Sequence, residues 1–297
     1  MAVLDIVMPY YGDVALMQTA VQSILTQSDD RWRLTVFDDG VAEGVPEWFG
    51  SLGHPSVRYE RNATNLGIAG NFQKCLEAAE SDFLVMMGCD DVLLPNYVDI
   101  VQGLIAEFPD ATIIQPGVQV IDGGGLPARG LVDRAKAQLY APRFTGSIEM
   151  QGEALAASLL RGNWLYFPSL CWRREAILGV GFNAELSVIQ DLDVVLQLVE
   201  ADAKVVISDE PCFQYRRHAE SKSSVMAASG GRFTEAQEFF LQVAQRYEAR
   251  GWPKAAGAAR WHVSSRLHAL TMLPAAAAQR NLPGVRALAG HAFGSTR

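Results

Sequence analysis

Runs of apolar residues that stop abruptly at polar clusters set the rhythm of this chain. Phe83 to Met87 is an unbroken apolar run that meets Gly88-Cys89 and then two adjacent carboxylates, Asp90 and Asp91. A run without polar alternation predicts a strand buried on both faces of a parallel sheet. Val3 to Met8, broken only by Asp5, ends at Pro9-Tyr10-Tyr11-Gly12, and Trp32 to Phe37 ends at Asp38-Asp39-Gly40. Val57 to Tyr59 is a third, shorter strand candidate. Between these runs the period changes. Val14, Met17, Val21, Ile24 and Leu25 recur at helical spacing over 14–27, and Asn65-Leu66-Gly67 opens a second helix through Phe72, Cys75, Leu76 and Ala79. Pro95 begins a third helix, to Glu107, at a position where its missing N–H costs nothing. Strand and helix alternating with short connections predict a parallel α/β half over residues 1–110. Its polar strand ends converge on one rim, where open α/β sheets bind ligands.

Beyond that half the pattern loosens. Thr112 to Ile121 reads as a strand, Asp122-Gly123-Gly124-Gly125 as a turn, and residues 126–147 carry no clear period. Gly152 to Leu160 is helical. Phe167 to Trp172 is an apolar strand whose early Pro168 argues for a sheet edge. Leu192, Val195, Leu196 and Val199 form one stripe of a helix over 191–201. Lys204 to Ile207 and Cys212 to Tyr215 are the last two strands, and 216–224 is a polar loop. The remainder is helical, rich in alanine and arginine, and divided by Pro253, Pro274 and Pro283. The expected organisation is two halves of one domain, 1–110 and 111–225, with a helical extension at 226–297.

Composition changes this picture in two places. The chain has 297 residues, 49% apolar and 20% charged, as an ordinary globular protein does, and its net charge of −8 argues against a general nucleic-acid binder. That charge is unevenly spread: residues 1–225 carry 16 Lys/Arg against 30 Asp/Glu, whereas 226–297 carry 9 against 3. The tail is therefore the candidate for an anionic partner. Cys75, Cys89, Cys171 and Cys212 lie far apart, without zinc or redox spacing, as reduced thiols of a cytoplasmic protein do. The N-terminus lacks a basic, apolar leader pattern, and no window approaches 18 uninterrupted apolar residues. Neither G-x-x-x-x-G-K-[ST] nor a strand-to-helix G-x-G-x-x-G occurs.

The chemistry centres on Asp90 and Asp91. Adjacent carboxylates repel unless a cation or hydrogen-bond donors offset them. Hard oxygen ligands at a strand end suit Mg²⁺ or Mn²⁺ that also touches a phosphate. An acidic turn leading to Pro95 explains the same residues without any ligand.

Six segments together decide between these readings. Asp5-Ile6-Val7-Met8-Pro9-Tyr10-Tyr11, Asp38-Asp39-Gly40, Asn65-Leu66-Gly67-Ile68-Ala69-Gly70-Asn71, Asp90-Asp91-Val92-Leu93-Leu94-Pro95, Gln190-Asp191-Leu192-Asp193 and Tyr215-Arg216-Arg217-His218 resemble, in order and spacing, family 2 glycosyltransferases. The resemblance spans roughly residues 3–224. It implies a GT-A fold, meaning a Rossmann-like, mostly parallel sheet flanked by helices, and an inverting, metal-dependent transfer from a nucleotide-diphospho-sugar. It also implies roles. Pro9 and Tyr11 would hold the base, Asp39 would accept the uracil N3–H, and Asp38 would serve the ribose or merely the turn. Asn65 and Gly67 belong to the nucleotide site. Asp91 would be the direct metal ligand, with Mn²⁺ or Mg²⁺, and Asp90 a ribose or sugar contact. Asp191, in the first turn of its helix, would be the base that takes the acceptor proton, while Asp193 is structural. His218 would complete the metal shell or touch the phosphates. Arg216 and Arg217 would neutralise the diphosphate, unless they are solvated loop residues.

Three positions depart from the family pattern. Gly88-Cys89 stands where another acid often precedes the pair, Gln190 replaces a common glutamate, and Asn71 occupies a place where some members carry arginine. The expected donor is UDP- or dTDP-linked, and the acceptor a glycan, a lipid-linked glycan or a small molecule. The alternative from another class is a non-catalytic sugar-nucleotide-binding subunit of a glycan-assembly complex. The basic tail, with Phe239, Phe240, Tyr247, Trp252 and Trp261, would meet an anionic membrane peripherally, or would dock on the catalytic domain or on a second copy in a homo-oligomer.

Overall fold

The computed structural model describes residues 3–128, 140–183, 186, 189–217, 231–278 and 281–293. Four parallel strands form the first half: β1 (Leu4–Tyr10), β2 (Trp32–Asp38), β3 (Val57–Arg61) and β4 (Phe83–Met86), in the order β3-β2-β1-β4. Helices α1 (Val14–Leu25), α2 (Val45–Leu52) and α3 (Gly67–Ala78) connect them. Along β4, Phe83 and Val85 enter one apolar cluster with Leu4, Ile6 and Met8, whereas Leu84 and Met86 enter a second with Val7 and Phe37. Both faces are covered, which is why these strands read as unbroken apolar runs.

The sheet continues through β5 (Val92–Leu93), β6 (Ile113–Ile121), β7 (Ser147–Met150), β8 (Cys171–Arg173) and β9 (Val205–Arg216). Its order from β4 is β8-β6-β9-β5, with β7 also on β9. Helices α4 (Tyr97–Glu107), α5 (Gly152–Arg161), α6 (Arg174–Val180) and α7 (Gln190–Glu200) cover it. This half is mixed: β6 runs parallel to β9, but β8 is antiparallel to both β4 and β6.

Two expectations are corrected here. The strand near Phe167 is not at an edge. Pro168 sits in a short 3-10 turn, Phe167–Ser169, and β8 begins only at Cys171, in the middle of the sheet. The proline therefore never enters the ladder. The two last strands are one, β9, whose register shifts beside Gly117. A Cβ on Gly117 would lie 2.3 Å from the Glu210 carbonyl oxygen, so the bulge that carries Pro211 needs a glycine opposite it.

The tail comprises α8 (Gly231–Arg250), α9 (Pro253–Trp261), α10 (Val263–Ala278) and α11 (Leu282–Phe293). Phe239, Phe240, Val243 and Tyr247 of α8 and Ala255 and Ala259 of α9 share one apolar cluster with α5 and α7. Arg246 pairs with Glu200 at 2.9 Å. These tail aromatics thus dock on the catalytic domain. Helices α10 and α11 share a small separate cluster through Ala269, Ala276, Leu288 and Ala292. Pro274 lies inside α10 and does not divide it. No described helix is long and apolar enough to cross a membrane.

Candidate active site

The carboxyl ends of β1, β2 and β4 meet at one rim. The Asp39 N–H donates to the Tyr10 carbonyl at 2.8 Å, and the Met87 N–H to the Val7 carbonyl at 3.0 Å. Asp5, at the opposite end of β1, is a fastener: its buried carboxylate accepts from Arg33 and from the Glu80 and Ser81 N–H groups at 2.6 and 2.7 Å.

At the β2 end the two aspartates divide their work. Asp38 is fully buried and accepts from the Tyr59 hydroxyl at 2.5 Å, the Arg61 guanidinium at 2.7 Å and the Gly40 N–H at 2.8 Å. Burial and the Asp38 charge push the Tyr59 phenol well up. Asp38 therefore shapes the turn. Asp39 accepts the Asn62 amide at 2.9 Å and the Leu66 N–H at 2.7 Å on Oδ1, and the Gly67 N–H at 2.8 Å on Oδ2. Asn65 closes the same loop by donating to the Asp39 carbonyl at 2.9 Å. This one carboxylate thus satisfies orphan N–H groups at the start of α3, where negative charge is favoured. Asn71, buried in that helix, donates to the Phe37 carbonyl at 2.9 Å, a structural use of this position. Pro9 occupies β1 beside Phe37, and Tyr11 just beyond the strand is 68% exposed, a free aromatic face at the rim.

At the β4 end Asp91 is 1% exposed. Its Oδ1 accepts the Arg216 N–H at 2.8 Å, whereas its buried Oδ2 has no hydrogen-bond partner. Burial, then the neighbouring Asp90 charge, push its carboxyl well above the usual carboxylate range, and Arg216 only partly opposes them. An acid so placed fits a cation: an orphaned oxygen, desolvated and beside a like charge, is what a metal would satisfy. Gly88 is one of the two positions before the pair where an acid is missing. A Cβ there would stand 2.5 Å from Asp91 Oδ2 and 3.1 Å from Asp90 Oδ1, so no larger residue fits while Asp91 holds this place. Among the described residues no three His, Cys, Asp or Glu side chains cluster to cage an ion, so phosphate and water oxygens would have to complete such a shell.

Arg216 is turned inward. Its Nε donates to the Asp90 carbonyl at 2.7 Å, and its Nη1 to the Asp122 and Gly123 carbonyls, both at 3.2 Å. The guanidinium thereby clamps the acid loop to the 122–125 turn, instead of lying open for a diphosphate. Arg217 is exposed, with its guanidinium 5.9 Å from the Tyr215 ring. His218 lies outside the described residues.

Asp191 stands in the first turn of α7, half-buried. Its Oδ2 accepts the Asn163 amide at 3.4 Å and its Oδ1 the Leu192 N–H at 2.7 Å. Asp193 is buried, accepts Gln197 at 2.8 Å, and is raised by burial. Gln190 is likewise occupied, donating to the Asn183 and Leu186 carbonyls.

Tyr215 links the halves. Burial and then the charges of Asp91, Asp90 and Asp191 push its phenol up to about 12, so all three acids act on one neutral ring. Sequence reasoning gave no role to Tyr215, Asn163 or Gly88. Tyr215 was within reach, since it opens the Tyr-Arg-Arg-His segment. Asn163 had no local signal at all.

A rim of acids at the ends of parallel strands, faced by a helix-borne carboxylate from a mixed second half, is the architecture of GT-A transferases. S. aureus TarS (residues 1–349), solved with UDP-GlcNAc, superposes with a TM-score of 0.64 at 14% identity, covering 99% of this chain and 92% of that one. The mannosyltransferase PcManGT from Pyrobaculum calidifontis, solved with GDP-Man and Mn²⁺, gives 0.56 at 15% identity, covering 97% and 79%. The uncharacterized protein MT1568 of Mycobacterium tuberculosis (strain CDC 1551 / Oshkosh) is 26% identical over 237 residues, 75% of this chain and 70% of that protein. The sequence profile described as Glycosyl transferase family 2 matches residues 5–165, more than half the chain. The protein belongs to glycosyltransferase family 2.

Proposed function

We propose that this glycosyltransferase moves a sugar, with inversion, from a pyrimidine nucleotide-diphospho-sugar to an acceptor hydroxyl, with Asp191 as general base. One observation carries the reading. Asp91 presents a buried, unpartnered oxygen at the carboxyl ends of the strands that form the nucleotide rim.

The base preference follows from Asp39. A carboxylate offers about four acceptor sites, of which three are taken by Asn62, Leu66 and Gly67. The remaining one, on Oδ2, suits the single imide N–H of uracil or thymine. Guanine presents two parallel donors and would need both oxygens open. Tyr11 offers a face on which a base can stack. Asp191 stands at a helix N-terminus, where negative charge is favoured, and accepts the Leu192 N–H. It takes the acceptor proton as that oxygen attacks the anomeric carbon. Asn163 orients the carboxylate. Asp91, with Asp90 beside it, would hold a divalent ion such as Mn²⁺ or Mg²⁺, with His218 as the further ligand expected from sequence. When bound, the ion supplies charge neutralisation for the departing diphosphate.

Thermal shift tests the assignment, since a ligand that binds only the folded form raises its melting temperature. UDP should stabilise the protein only with Mn²⁺ or Mg²⁺ present, and Asp91→Ala should remove that metal dependence. Equal stabilisation by ADP, or an unchanged metal requirement in the variant, would contradict it.

For peripheral membrane contact the support narrows to the end of α9 and the last two helices. With α8 and α9 docked on the core, the tail's exposed apolar side chains are Trp261, Val263, Leu267, Leu282 and Phe293, and residues 261–293 contain no Asp or Glu. Arginines beside exposed apolar groups suit an anionic lipid surface. Co-sedimentation with vesicles containing phosphatidylserine at low salt, fading as salt rises, is the expected result. Full-length protein left in the supernatant would refute it.

A further inference from the structure

A separate cavity of about 250 Å³ opens between β6, β9 and the 141–144 and 164–166 segments. It lies just below the roughly 300–1,000 Å³ of sites for drug-sized ligands, so it has room for about one ring. Its walls include Val118, Phe144 and Tyr166, together with the polar side chains of Gln115 and Asp209. Gln115 accepts the Tyr166 N–H through Oε1 at 2.7 Å, leaving its NH₂ donating to no described residue. The Asp209 carboxylate takes part in no hydrogen bond or ion pair with a described residue; only its backbone N–H is held, by the Gly146 carbonyl at 3.0 Å. The lining carries this one carboxylate and no Lys or Arg.

One ring contact links the cavity wall to the acid cluster. Two residues separate Asn163, which donates to Asp191, from Tyr166, whose ring lies 5.3 Å from that of Tyr215. A group seated against Tyr166 is therefore next to the tyrosine on which Asp90, Asp91 and Asp191 all act.

We infer that this cavity is the acceptor subsite and that it takes a neutral sugar ring. The role as acceptor subsite rests on the glycosyl-transfer reading above; the sugar chemistry does not. A pyranose is amphipathic: its C–H face suits the Phe144 and Tyr166 rings, and its hydroxyl rim needs one donor and one acceptor, which Gln115 and Asp209 supply. A phosphate-bearing acceptor unit would meet a carboxylate with no basic side chain in the lining to offset it.

Saturation-transfer NMR on the full chain with UDP and Mg²⁺ tests this. The probes are methyl β-D-glucopyranoside, methyl N-acetyl-β-D-glucosaminide, methyl α-D-mannopyranoside and glycerol 3-phosphate. At least one methyl glycoside should receive saturation and glycerol 3-phosphate none. Phe144→Ala should weaken that glycoside about five- to tenfold, the scale of one aromatic contact. Val118→Trp should fill the cavity and abolish the signal; if this variant fails to fold, Phe144→Ala decides. No glycoside binding, undiminished binding to both folded variants, or binding of glycerol 3-phosphate that Val118→Trp removes would each overturn the inference. The UDP-dependent melting shift is read on the same samples. Its absence would overturn the transfer reading while leaving the sugar site to stand or fall on the glycoside signal.

Discussion

Replacing Gly88 by alanine adds one methyl group and puts the metal-site reading at risk. The new Cβ would stand 2.5 Å from Asp91 Oδ2, against about 3.4 Å for ordinary contact, so that oxygen must give by about 0.9 Å. It has little room to do so, because Asp91 is 1% exposed and its Oδ1 is held by the Arg216 N–H at 2.8 Å. Overpacking of this kind costs about 1–3 kcal/mol. At about 2–4 °C for each kcal/mol, the melting temperature should fall by about 2–12 °C. The effect on ligation should be larger. Metal–ligand distances tolerate about ±0.2 Å, so a carboxylate displaced several times as far is lost as a ligand. Scanning fluorimetry with UDP, with and without Mn²⁺, separates the two effects. UDP at 100 times its Kd stabilises the native protein by about 2.7 kcal/mol, a shift of several degrees. Gly88→Ala should fold, melt lower, and lose the metal-dependent part of that shift. A variant that keeps the full UDP–Mn²⁺ shift would refute the role given to Asp91.

Three further outcomes follow from the same contacts. Asp191→Asn should keep UDP-dependent stabilisation while turnover falls by about 10²–10⁴, the usual range for a positioned base; near-normal transfer would move the base elsewhere. Asp39→Ala leaves the Leu66 N–H without its acceptor and the Gly67 N–H with only Asn65 Oδ1 at 3.0 Å, and should cost about 1–3 kcal/mol in urea unfolding together with any preference for UDP over ADP. An unchanged midpoint would show that the α3 entry is held by other means. His262 is buried, stacked 5.0 Å from Phe240 and 5.0 Å from His291, and burial lowers its pKa. Its folded form therefore binds fewer protons than the unfolded chain as pH falls below about 6.5, and the stability tied to its neutral ring is lost over that range. His262→Asn should flatten the fall in melting temperature between about pH 7.5 and 5; an equally steep fall would acquit this ring.

Most of the first half was legible in the sequence because it is physically one-dimensional. Strands such as Phe83–Met86 are buried on both faces, so their pattern needs no knowledge of neighbours. The second half was harder because its short elements owe their form to partners. β8 has three residues and β5 two, and each exists only where another strand pairs with it. The Pro168 expectation failed for that reason: a local rule for edges was applied to a residue in the preceding turn. The α2, α6 and β7 elements passed unnoticed for the same want of length. At the site, the motifs located the acids but not their division of labour. Asp38 and Arg216 look like ligand residues in sequence, yet each is consumed by contacts 21 to 126 positions away. Phe239, Phe240 and Tyr247 are buried in the catalytic core while Trp261 stays exposed, since a helical stripe does not reveal which neighbour covers it.

Release of nucleoside diphosphate from nucleotide sugars, measured without acceptor, tests the transfer chemistry most directly. UDP- or dTDP-linked sugars should be hydrolysed slowly with Mn²⁺ or Mg²⁺ present. Chelation should stop the reaction, as should Asp91→Ala in a protein that still melts cooperatively. Metal-independent release, equal turnover of ADP-linked sugars, or full activity in the folded Asp91→Ala variant would contradict it.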